Sequence, residues 1–363
     1  MTKLDELIQE LCPDGVEYKE LQEILTIKNG SDYKHLSKGD IPVYGSGGIM
    51  TYVETFSYDK PSVLIPRKGS IDKLYYVEAP FWNVDTIFYT DIDSTQIKPK
   101  YLFYCLQREH LEQYNTAGGV PSLTQAVLNK VQILVPPLPV QREIVRILDN
   151  FTELTAELTA ELTARKKQYA YYRDKLLTMG TEQVAVCNLG DIADIYTGSK
   201  PNEILDTISD YEYINAGTGN SGYTEQPNCE GDTVTTPSRG QGGIGYVGYQ
   251  SKPFYLGPLC YAIRSKTQEF IINKYIYHWL VSHSSDILVL KNEGGTPALN
   301  KTDLAKIRIK VPPLSVQNRL VEVLDNFDAI CTDLSSGLPA EIEARQKQYE
   351  YYRDKLLSFE EKI

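Results

Sequence analysis

The chain contains one stretch of sequence twice. Three motifs recur in the same order, the first two at an offset of 176 residues and the third at an offset of 180. The copies are Val135-Pro-Pro-Leu-Pro-Val-Gln141 with Val311-Pro-Pro-Leu-Ser-Val-Gln317, Leu148-Asp-Asn-Phe151 with Leu324-Asp-Asn-Phe327, and Tyr171-Tyr-Arg-Asp-Lys-Leu-Leu177 with Tyr351-Tyr-Arg-Asp-Lys-Leu-Leu357. A chain of 363 residues with this pattern is two half-molecules in tandem. We therefore predict a pseudo-twofold protein whose binding partner is itself twofold or bipartite.

The first copy predicts one long helix. No Gly or Pro occurs between Gln141 and Met179, Pro136-Pro137 precedes this stretch, and Gly180 is a natural stop. A helix of some forty residues extends about 60 Å, too far to bury its apolar stripe against one compact domain. Residues predicted on this stripe, at steps of three, four or seven, are Leu148, Phe151, Leu154, Leu158, Leu162, Tyr169, Tyr172 and Leu176.

The second copy predicts a partner for that helix, with one interruption. Ser335-Ser-Gly-Leu-Pro339 indicates a break, after which Ser or Gly caps a new helix. We expect the two helical regions to pair as an antiparallel coiled coil, the alternative being two separately packed helices. The predicted stripe of the second copy consists of Leu324, Phe327, Leu334, Leu338, Ile342, Tyr349, Tyr352 and Leu356.

A short tandem, Thr155-Ala-Glu-Leu158 and Thr159-Ala-Glu-Leu162, lies inside the first helix. The second copy is four residues longer in this region, since the offset grows from 176 to 180. The helical region is therefore interpreted as a length element that varies in steps of about one turn.

The blocks before the helices are mixed in pattern. Residues 1–137 and 181–313 are predicted to be α+β domains with small β-sheets, followed by helical spacers at 138–180 and 314–363. Weak anchors align the two blocks, among them Pro66-Arg-Lys-Gly69 with Pro237-Ser-Arg-Gly240 and Gly118-Gly-Val-Pro121 with Gly294-Gly-Thr-Pro297. The glycines of the second pair of motifs are interpreted as structural residues that shape the return to the long helix. No sequence counterpart of Trp82-Asn83 is found in the second block. One fold with two differentiated surfaces is the simplest interpretation.

Composition and motifs narrow the function. The formal net charge of −11 argues against a simple nucleic-acid binder, so a DNA contact has to come from local clusters or from partner subunits. Phosphate-binding glycine motifs and a methyltransferase loop are missing, which favours recognition over catalysis. Six scattered cysteines and four histidines predict neither disulfides nor a metal site. An acidic, amphipathic N-terminus and no apolar run of about 18 residues predict a cytoplasmic protein without membrane contact.

The order of variable block, Val-Pro-Pro-Leu-x-x-Gln helix, variable block and second such helix resembles the specificity subunits of type I restriction–modification systems. Arg67-Lys-Gly-Ser-Ile71, Phe81-Trp-Asn-Val-Asp85 and the Thr-Ala-Glu-Leu tandem add to the resemblance. The resemblance implies a non-catalytic subunit in which two target-recognition domains each bind half of a split, asymmetric double-stranded DNA sequence. It also implies that the helices act as a spacer and dock two modification subunits, which carry S-adenosylmethionine. It further implies that restriction subunits, which use ATP and Mg²⁺, can join the full complex.

Side chains that read DNA bases or contact phosphates are expected in glycine-containing loops. Among the candidates, Arg67 or Arg239 is predicted to contact a guanine edge or a phosphate. The alternative is that their loops are solvated turns without a partner. The candidates are Arg67, Lys68, Ser70 and Lys73 in the first block, Ser238, Arg239 and Gln241 in the second, and Tyr44, Ser46 and Asn220 from a second pair of glycine-rich turns.

Two rival functions remain open. One is a self-sufficient DNA enzyme, which the missing motifs disfavour. The other is a pseudo-dimeric coiled-coil scaffold that binds proteins rather than DNA, which the acidic net charge favours. Filter binding with random and genomic DNA discriminates between the scaffold and a DNA-recognition subunit.

Overall fold

A computed structural model describes residues 2–115, 118–178, 184–240, 242–292, 296–333 and 335–361. Its contacts divide the chain into two units. Unit 1 comprises Met1–Leu158 with Ile342–Ile363, and unit 2 comprises Thr159–Glu341. The boundary between Leu158 and Thr159 falls within one continuous helix. Each unit therefore combines one variable block with helical segments from both repeats.

Unit 1 builds its block from two small sheets and short helices. One sheet has the strand order β2-β8-β5-β6 and the other β4-β3-β7, while β1 and β9 form a separate antiparallel ladder. The elements are α1 (Lys3–Leu11), β1 (Tyr18–Glu20), α2 (Leu21–Ile24), β2 (Leu25–Lys28), β3 (Lys38–Gly45), β4 (Gly48–Val53), β5 (Ser62–Pro66), β6 (Tyr75–Val77), β7 (Trp82–Asn83), β8 (Ile87–Ile92), α3 (Pro99–Arg108), a 3₁₀ helix (Leu111–Tyr114), α4 (Gln125–Leu128), β9 (Gln132–Leu134) and the start of α5 (Leu138–Thr178).

Unit 2 repeats this plan after the end of α5. Its sheets have the orders β11-β17-β14-β15 and β13-β12-β16, and β10 pairs with β18. The elements are β10 (Ala185–Asn188), α6 (Leu189–Ile192), β11 (Ala193–Thr197), β12 (Tyr211–Ile214), β13 (Tyr223–Thr224), β14 (Thr233–Pro237), β15 (Gly248–Gln250), β16 (Tyr255–Leu256), β17 (Cys260–Ser265), α7 (Asn273–Ser282), α8 (Ser284–Val289), α9 (Lys301–Leu304), β18 (Arg308–Val311), α10 (Leu314–Thr332) and α11 (Leu338–Leu356). The predicted α+β class is confirmed.

The two variable blocks correspond more closely than their sequences indicate. Trp82-Asn83 forms β7, which pairs in parallel with β3, and Tyr255-Leu256 forms β16, which pairs in parallel with β12. The second block therefore has a structural counterpart of Trp82-Asn83, although no sequence counterpart is present. The strand pairing is set by backbone hydrogen bonds, so the position is kept although the side chains differ.

The predicted helix break is confirmed between α10 and α11. Asp333 accepts hydrogen bonds from the backbone and hydroxyl of Ser335 at 2.7 and 2.6 Å, and also from the Ser336 hydroxyl. These bonds hold the pKa of the Asp333 carboxyl well below its ordinary value. The Gly337 amide then donates to the Asp333 carbonyl before α11 begins at Leu338. Asp333 thus organises a turn that the sequence pattern assigned to Ser and Gly alone.

The long helix pairs antiparallel with segments of the other repeat in each unit, as predicted. In unit 1 the rings of Phe151 and Tyr352 stack with centroids 5.3 Å apart. In unit 2 Phe327 and Tyr172 stack at 6.3 Å. Phe151 corresponds to Phe327 and Tyr172 to Tyr352 in the repeat, so the two contacts are equivalent with the partners exchanged. The same two aromatic positions of the repeat are therefore used within each unit.

Burial along the stripe is uneven. Leu148 and Leu324 are 0% and 1% exposed, whereas Leu154 and Tyr172 are 36% and 40% exposed. Leu334 lies outside the described residues. The remaining predicted stripe residues are half-buried: Phe151, Leu158, Leu162, Tyr169, Leu176, Phe327, Leu338, Ile342, Tyr349, Tyr352 and Leu356.

The sequence reasoning missed the deepest contact at the C-terminal end of each helical region. Leu177 is 3% exposed and Leu357 is 1% exposed, while the predicted stripe residues Leu176 and Leu356 are only partly buried. Leu177 lies in the core of unit 2 and Leu357 in that of unit 1. The reason is that each helix end packs on a variable block as well as on a helix, which turns a different face inward.

The repeated Leu-Asp-Asn-Phe motif fixes each helix to its own block. In unit 1 Asp149 accepts hydrogen bonds from Lys100 at 2.9 Å and from the Tyr104 hydroxyl at 2.5 Å. In unit 2 Asp325 bonds His278 at 2.8 Å and lies 3.5 Å from the Lys274 ammonium. Burial opposes ionisation of Asp325, but His278 and Lys274 hold its pKa below the ordinary value. The carboxylate is therefore kept charged at the joint.

The repeated glutamine of Val-Pro-Pro-Leu-x-x-Gln is a buried structural residue. Gln141 is 0% exposed, accepts a hydrogen bond from the Lys98 amide at 2.8 Å, and donates to the carbonyls of Gln96 and Pro136 at 2.9 and 2.7 Å. Gln317 makes the corresponding three bonds in unit 2. One amide side chain thus satisfies three backbone groups where the chain enters the long helix.

We expect Gln141→Met to destabilise unit 1 by about 1–3 kcal/mol, because the thioether leaves buried backbone groups without partners. Urea unfolding of the variant and the unchanged protein measures the difference. Gln346→Met on the exposed face of α11 is the matched control and should change stability by about 0.5 kcal/mol or less. Equal effects of the two substitutions would contradict the proposed stabilising role of the Gln141 hydrogen bonds.

The six cysteines are free thiols in the structure. Within the residues that the structure describes, no helix is both long and apolar enough to cross a bilayer.

Candidate nucleic-acid interface

Four segments of unit 1 meet beside the ends of β3, β5 and β7. We call residues 45–48, 67–73, 85–86 and 118–123 the first loop cluster. The Gly69 amide donates to the Pro121 carbonyl at 3.0 Å, and the Leu123 amide donates to the Arg67 carbonyl at 2.9 Å. A Cβ atom built on Gly69 would lie 3.7 Å from the Ser46 hydroxyl oxygen. Gly69 has a φ of 84°, which favours glycine at this turn.

The four basic-loop candidates of unit 1 differ in exposure. Lys68 and Lys73 are exposed, and Ser70 is half-buried. Arg67 is half-buried too, with its guanidinium 3.5 Å from the Asp85 carbonyl and 5.8 Å from the centre of the Phe88 ring. Its aromatic and carbonyl contacts hold the Arg67 side chain against the loop cluster, while Lys68 and Lys73 extend into solvent.

Tyr44 and Ser46, the two candidates at the end of β3 and in the turn after it, differ in their surroundings. Tyr44 packs its ring on Tyr75 at 5.9 Å and on Phe81 at 6.2 Å, and burial raises the pKa of its hydroxyl. Ser46 is half-buried, its amide donates to the Thr86 hydroxyl at 3.4 Å, and its carbonyl accepts from the Tyr75 hydroxyl. Tyr44 is thus mainly a packing residue, and Ser46 lies at the surface beside Gly69.

Unit 2 contains a corresponding second loop cluster, residues 215–220, 238–240, 242–247 and 297–299. The Gly240 amide donates to the Pro297 carbonyl at 3.1 Å, and the Leu299 amide donates to the Ser238 carbonyl at 2.8 Å. These bonds match those of Gly69 and Leu123, so Arg239 corresponds to Lys68 and Ser238 to Arg67. A Cβ atom built on Gly243 would lie 3.0 Å from the Gly217 amide nitrogen, which places two of these segments in contact.

The candidates of unit 2 separate by burial. Arg239 and Asn220 are exposed. Ser238 is 6% exposed, so its side chain cannot reach a DNA groove, and we leave it out of the interface. Ser238 directly follows the buried strand β14, and the alignment of the two loop sequences did not indicate that its side chain is buried. Gln241 lies outside the described residues.

Sequence reasoning did not include the last segment of each cluster, residues 118–123 and 297–299, in the site. Gly118-Gly-Val-Pro121 and its counterpart were assigned to shaping the path toward the long helix. In the structure Val120 is 69% exposed. The backbone of Lys68 forms an isolated β-bridge with Ser122, and the backbone of Arg239 forms one with Ala298. The basic turn and the Gly-Gly-x-Pro motif occur in the same order in both blocks, and this order was the available sequence signal. Only the folded structure shows that the two motifs are neighbours.

The clusters offer binding groups without a metal centre. In the described part of the chain, no three His, Cys, Asp or Glu side chains are grouped so that they could hold a metal ion. The exposed side chains include the ammonium groups of Lys68 and Lys73, the Arg239 guanidinium and the Asn220 amide. The carboxylates of Asp72 and Asp85 are also exposed in the first loop cluster. Ammonium, guanidinium and amide groups contact phosphates and base edges in nucleic-acid complexes.

Related proteins share both the sequence pattern and the fold. The family described as type I restriction modification DNA specificity domain matches residues 13–165 and 181–344. A putative type I restriction enzyme specificity subunit of Haemophilus influenzae is 31% identical over 382 residues, covering 95% of this chain and 96% of the relative. A type I restriction enzyme specificity subunit of Escherichia coli is 36% identical over 309 residues, covering 74% of this chain and 73% of the relative.

Two solved structures resemble the fold. The S subunit of a type I restriction-modification system from M. genitalium has a TM-score of 0.64 at 19% identity, covering 94% of this chain and 95% of that one. A chain from a structural study of complex assembly and conformational transition in a type I system has a TM-score of 0.61 at 15% identity, covering 96% and 98%. At these identities the likeness concerns the fold alone.

Proposed function

This chain belongs to the family of type I restriction–modification specificity subunits, and from that premise we propose that it recognises a bipartite, asymmetric DNA sequence. One half-site binds to the first loop cluster and the other to the second. The observation that carries the proposal is the equivalence of Lys68 and Arg239. Each is an exposed cation, held by the same backbone bonds on the same turn, in two blocks of otherwise different surface.

The helices have a different role in this proposal. They dock two modification subunits, which supply S-adenosylmethionine, and restriction subunits that use ATP and Mg²⁺ join the full complex. The chain itself is the non-catalytic specificity subunit. Partner subunits also account for a DNA contact by a chain with a net charge of −11, because their basic groups add to the few cations of the loop clusters.

We expect Lys68→Ala and Arg239→Ala each to weaken binding of the complete complex to its target about tenfold, which corresponds to roughly 1.4 kcal/mol. Sequencing of methylated positions first identifies the target. Titrations with target and random duplexes at several salt concentrations then separate two roles. An equal loss on both duplexes with a shallower salt dependence indicates a phosphate contact, and a loss confined to the target indicates a base contact.

The control variants remove one lysine elsewhere in each unit. Lys19→Ala lies in the β1–β9 ladder of unit 1, and Lys306→Ala precedes β18 in unit 2. Both should leave the target affinity unchanged. If Lys68→Ala and Arg239→Ala behave like these controls, the loop clusters are not the DNA interface.

The acidic net charge supports a second candidate, a coiled-coil scaffold that binds proteins rather than DNA. Filter binding of random and genomic DNA, with and without a modification subunit, decides between the two. Retention of DNA by neither preparation would favour the scaffold.

A further inference from the structure

The two blocks fill the space between their sheets differently. Unit 1 fills it with aromatic rings: Tyr44, Tyr58, Tyr75 and Tyr89 pack around Leu64, Phe81 and Ile87. Tyr44 and Tyr75 lie 5.9 Å apart, and the Tyr75 hydroxyl donates to the Ser46 carbonyl at 3.2 Å. The ring of Tyr75 therefore spans from β6 to the turn after β3.

Strand registers identify the corresponding positions in unit 2. Tyr75 is opposite Leu64 in the β5–β6 pair, and Gly248 is opposite Thr235 in the β14–β15 pair. Because Pro66 and Pro237 end the matching strands, Thr235 corresponds to Leu64 and Gly248 to Tyr75. The parallel pairs likewise match Tyr44 with Ile214 and place Ala216 at the position of Ser46. A large ring in unit 1 is thus replaced by a glycine in unit 2.

A cavity of about 240 Å³ opens in unit 2 at this place. Ile214, Ala216, Thr235, Pro237 and Cys260 contribute to its lining. Ala216 stands where Ser46 receives the Tyr75 hydroxyl in unit 1, so the cavity lies at the far end of the place that the Tyr75 ring fills there. Nearer to β15, the Tyr246 ring lies 3.3 Å from the position of a Cβ on Gly248. The volume of the cavity is below the roughly 300–1,000 Å³ of clefts for drug-sized ligands, which limits an occupant to about one ring system.

The neighbouring part of unit 2 is packed, so the cavity is not a general loosening of the block. Tyr58 and Tyr89 of unit 1 correspond to Cys229 and Ala262, which are small but buried. Tyr196 of β11 compensates, because its hydroxyl reaches the Cys229 sulfur at 3.4 Å. The loss of aromatic rings in unit 2 is therefore compensated beside Cys229, by Tyr196, but not at the cavity beside Ala216.

We propose that this cavity binds a single nucleobase. The proposal rests on the proposed function, because the cavity wall includes Thr218 and Asn220 of the second loop cluster. Tyr246 is 42% exposed at the wall and offers an aromatic face for stacking, while Glu212 and Gln250 offer acceptors and a donor for a base edge. A planar ring with a polar edge then lies at the far end of the place that a tyrosine ring fills in unit 1.

The nucleobase has two possible sources, an unstacked base of the bound DNA or a free nucleoside. The test therefore uses the complete complex with modification subunits and two probes. One probe is each of the four free nucleosides, measured by calorimetric titration. The other is a set of target duplexes with 2-aminopurine at single positions of the second half-site, outside the methylated positions. The fluorescence of 2-aminopurine rises when the base leaves the stack.

The filling variant is Thr235→Leu/Gly248→Tyr, which copies the Leu64–Tyr75 pair of unit 1. Both positions change together because a Cβ at Gly248 alone would lie 2.8 Å from the Thr235 hydroxyl oxygen, whereas a leucine and a tyrosine pack at these two positions in unit 1. The same Cβ would lie 3.3 Å from the Tyr246 ring, which has to turn aside in this variant. Gln250→Ala is a milder second variant at a half-buried position, which guards against misfolding of the first. Thermal melting of both variants checks that unit 2 still folds.

We expect one of the two probes to respond with the unchanged protein. Its response should be at least tenfold weaker with the filling variant and severalfold weaker with Gln250→Ala. A fluorescence rise assigns the cavity to a base of the DNA, and nucleoside binding without it assigns a free nucleoside. If the target duplex binds but neither probe responds, or the response survives filling, the cavity proposal is overturned and the proposed function stands. Failure of the target duplex to bind contradicts the proposed function, while the nucleoside titration still decides the cavity.

Discussion

Insertion of one more Thr-Ala-Glu-Leu unit after Leu162 is expected to abolish methylation at the original sites. Methylation should move to sites whose non-specific gap is one or two base pairs longer. Four residues lengthen a helix by about 6 Å, and one base pair occupies about 3.4 Å along the duplex axis. The insertion point is in the uninterrupted helix α5, where Thr159, Glu161 and their neighbours are exposed, so an added turn meets little obstruction.

Genome-wide mapping of methylated positions in cells that carry the complete system measures the gap directly. The control keeps the helix length and changes the same surface: Glu157→Ala/Glu161→Ala should leave the gap as it is. Methylation of the original sites by the insertion variant would mean that α5 does not set the distance between half-sites. We therefore propose that α5 is the spacer and that its length sets the gap between the half-sites.

Leu148→Ala is expected to destabilise unit 1 by about 2–5 kcal/mol, the range for removing a fully buried leucine side chain and leaving a cavity. Leu148 is 0% exposed and lies in the same core as Leu357 of the second repeat. Leu324→Ala should have an effect of the same size on unit 2, since Leu324 is 1% exposed at the equivalent position. Against a total stability of roughly 5–15 kcal/mol, either loss is large.

The chain permits each unit to be followed separately, because its two tryptophans are Trp82 in unit 1 and Trp279 in unit 2. Urea unfolding of Leu148→Ala in a Trp279→Phe background reports unit 1, and Leu324→Ala in a Trp82→Phe background reports unit 2. Leu154→Ala is the control, since Leu154 belongs to the same predicted stripe but is exposed. A comparable loss for Leu154 and Leu148 would contradict the burial pattern.

Periodic features were predictable from the amino-acid order. A stretch without Gly or Pro predicted α5, and Ser335-Ser-Gly-Leu-Pro339 predicted the break before α11, because both depend on local backbone preferences. Burial along the stripe was less predictable. Periodicity selects a face, but the depth of Leu177 and the exposure of Tyr172 depend on which block each turn of the helix meets.

The candidate site was predicted only in part. Glycine and basic residues located the turns at Lys68 and Arg239, yet the sequence also proposed Ser238, which is buried at the end of β14. The contact of the basic turns with Pro121 and Pro297 joins segments more than fifty residues apart. Register along a strand decides such neighbours, and a one-residue change of register reverses which side chain is exposed.

The sequence alone determined the tandem duplication, the helix lengths, the helix break and the family, since these are written in residue order and spacing. Tertiary structure decided that Gln141 and Gln317 satisfy buried backbone groups and that Tyr255-Leu256 takes the place of Trp82-Asn83. It also decided that Gly248 takes the position of Tyr75 in the strand pairing, and that a cavity opens nearby in unit 2. These features depend on contacts between segments far apart in the chain, and only packing of the folded sheets and helices specifies them.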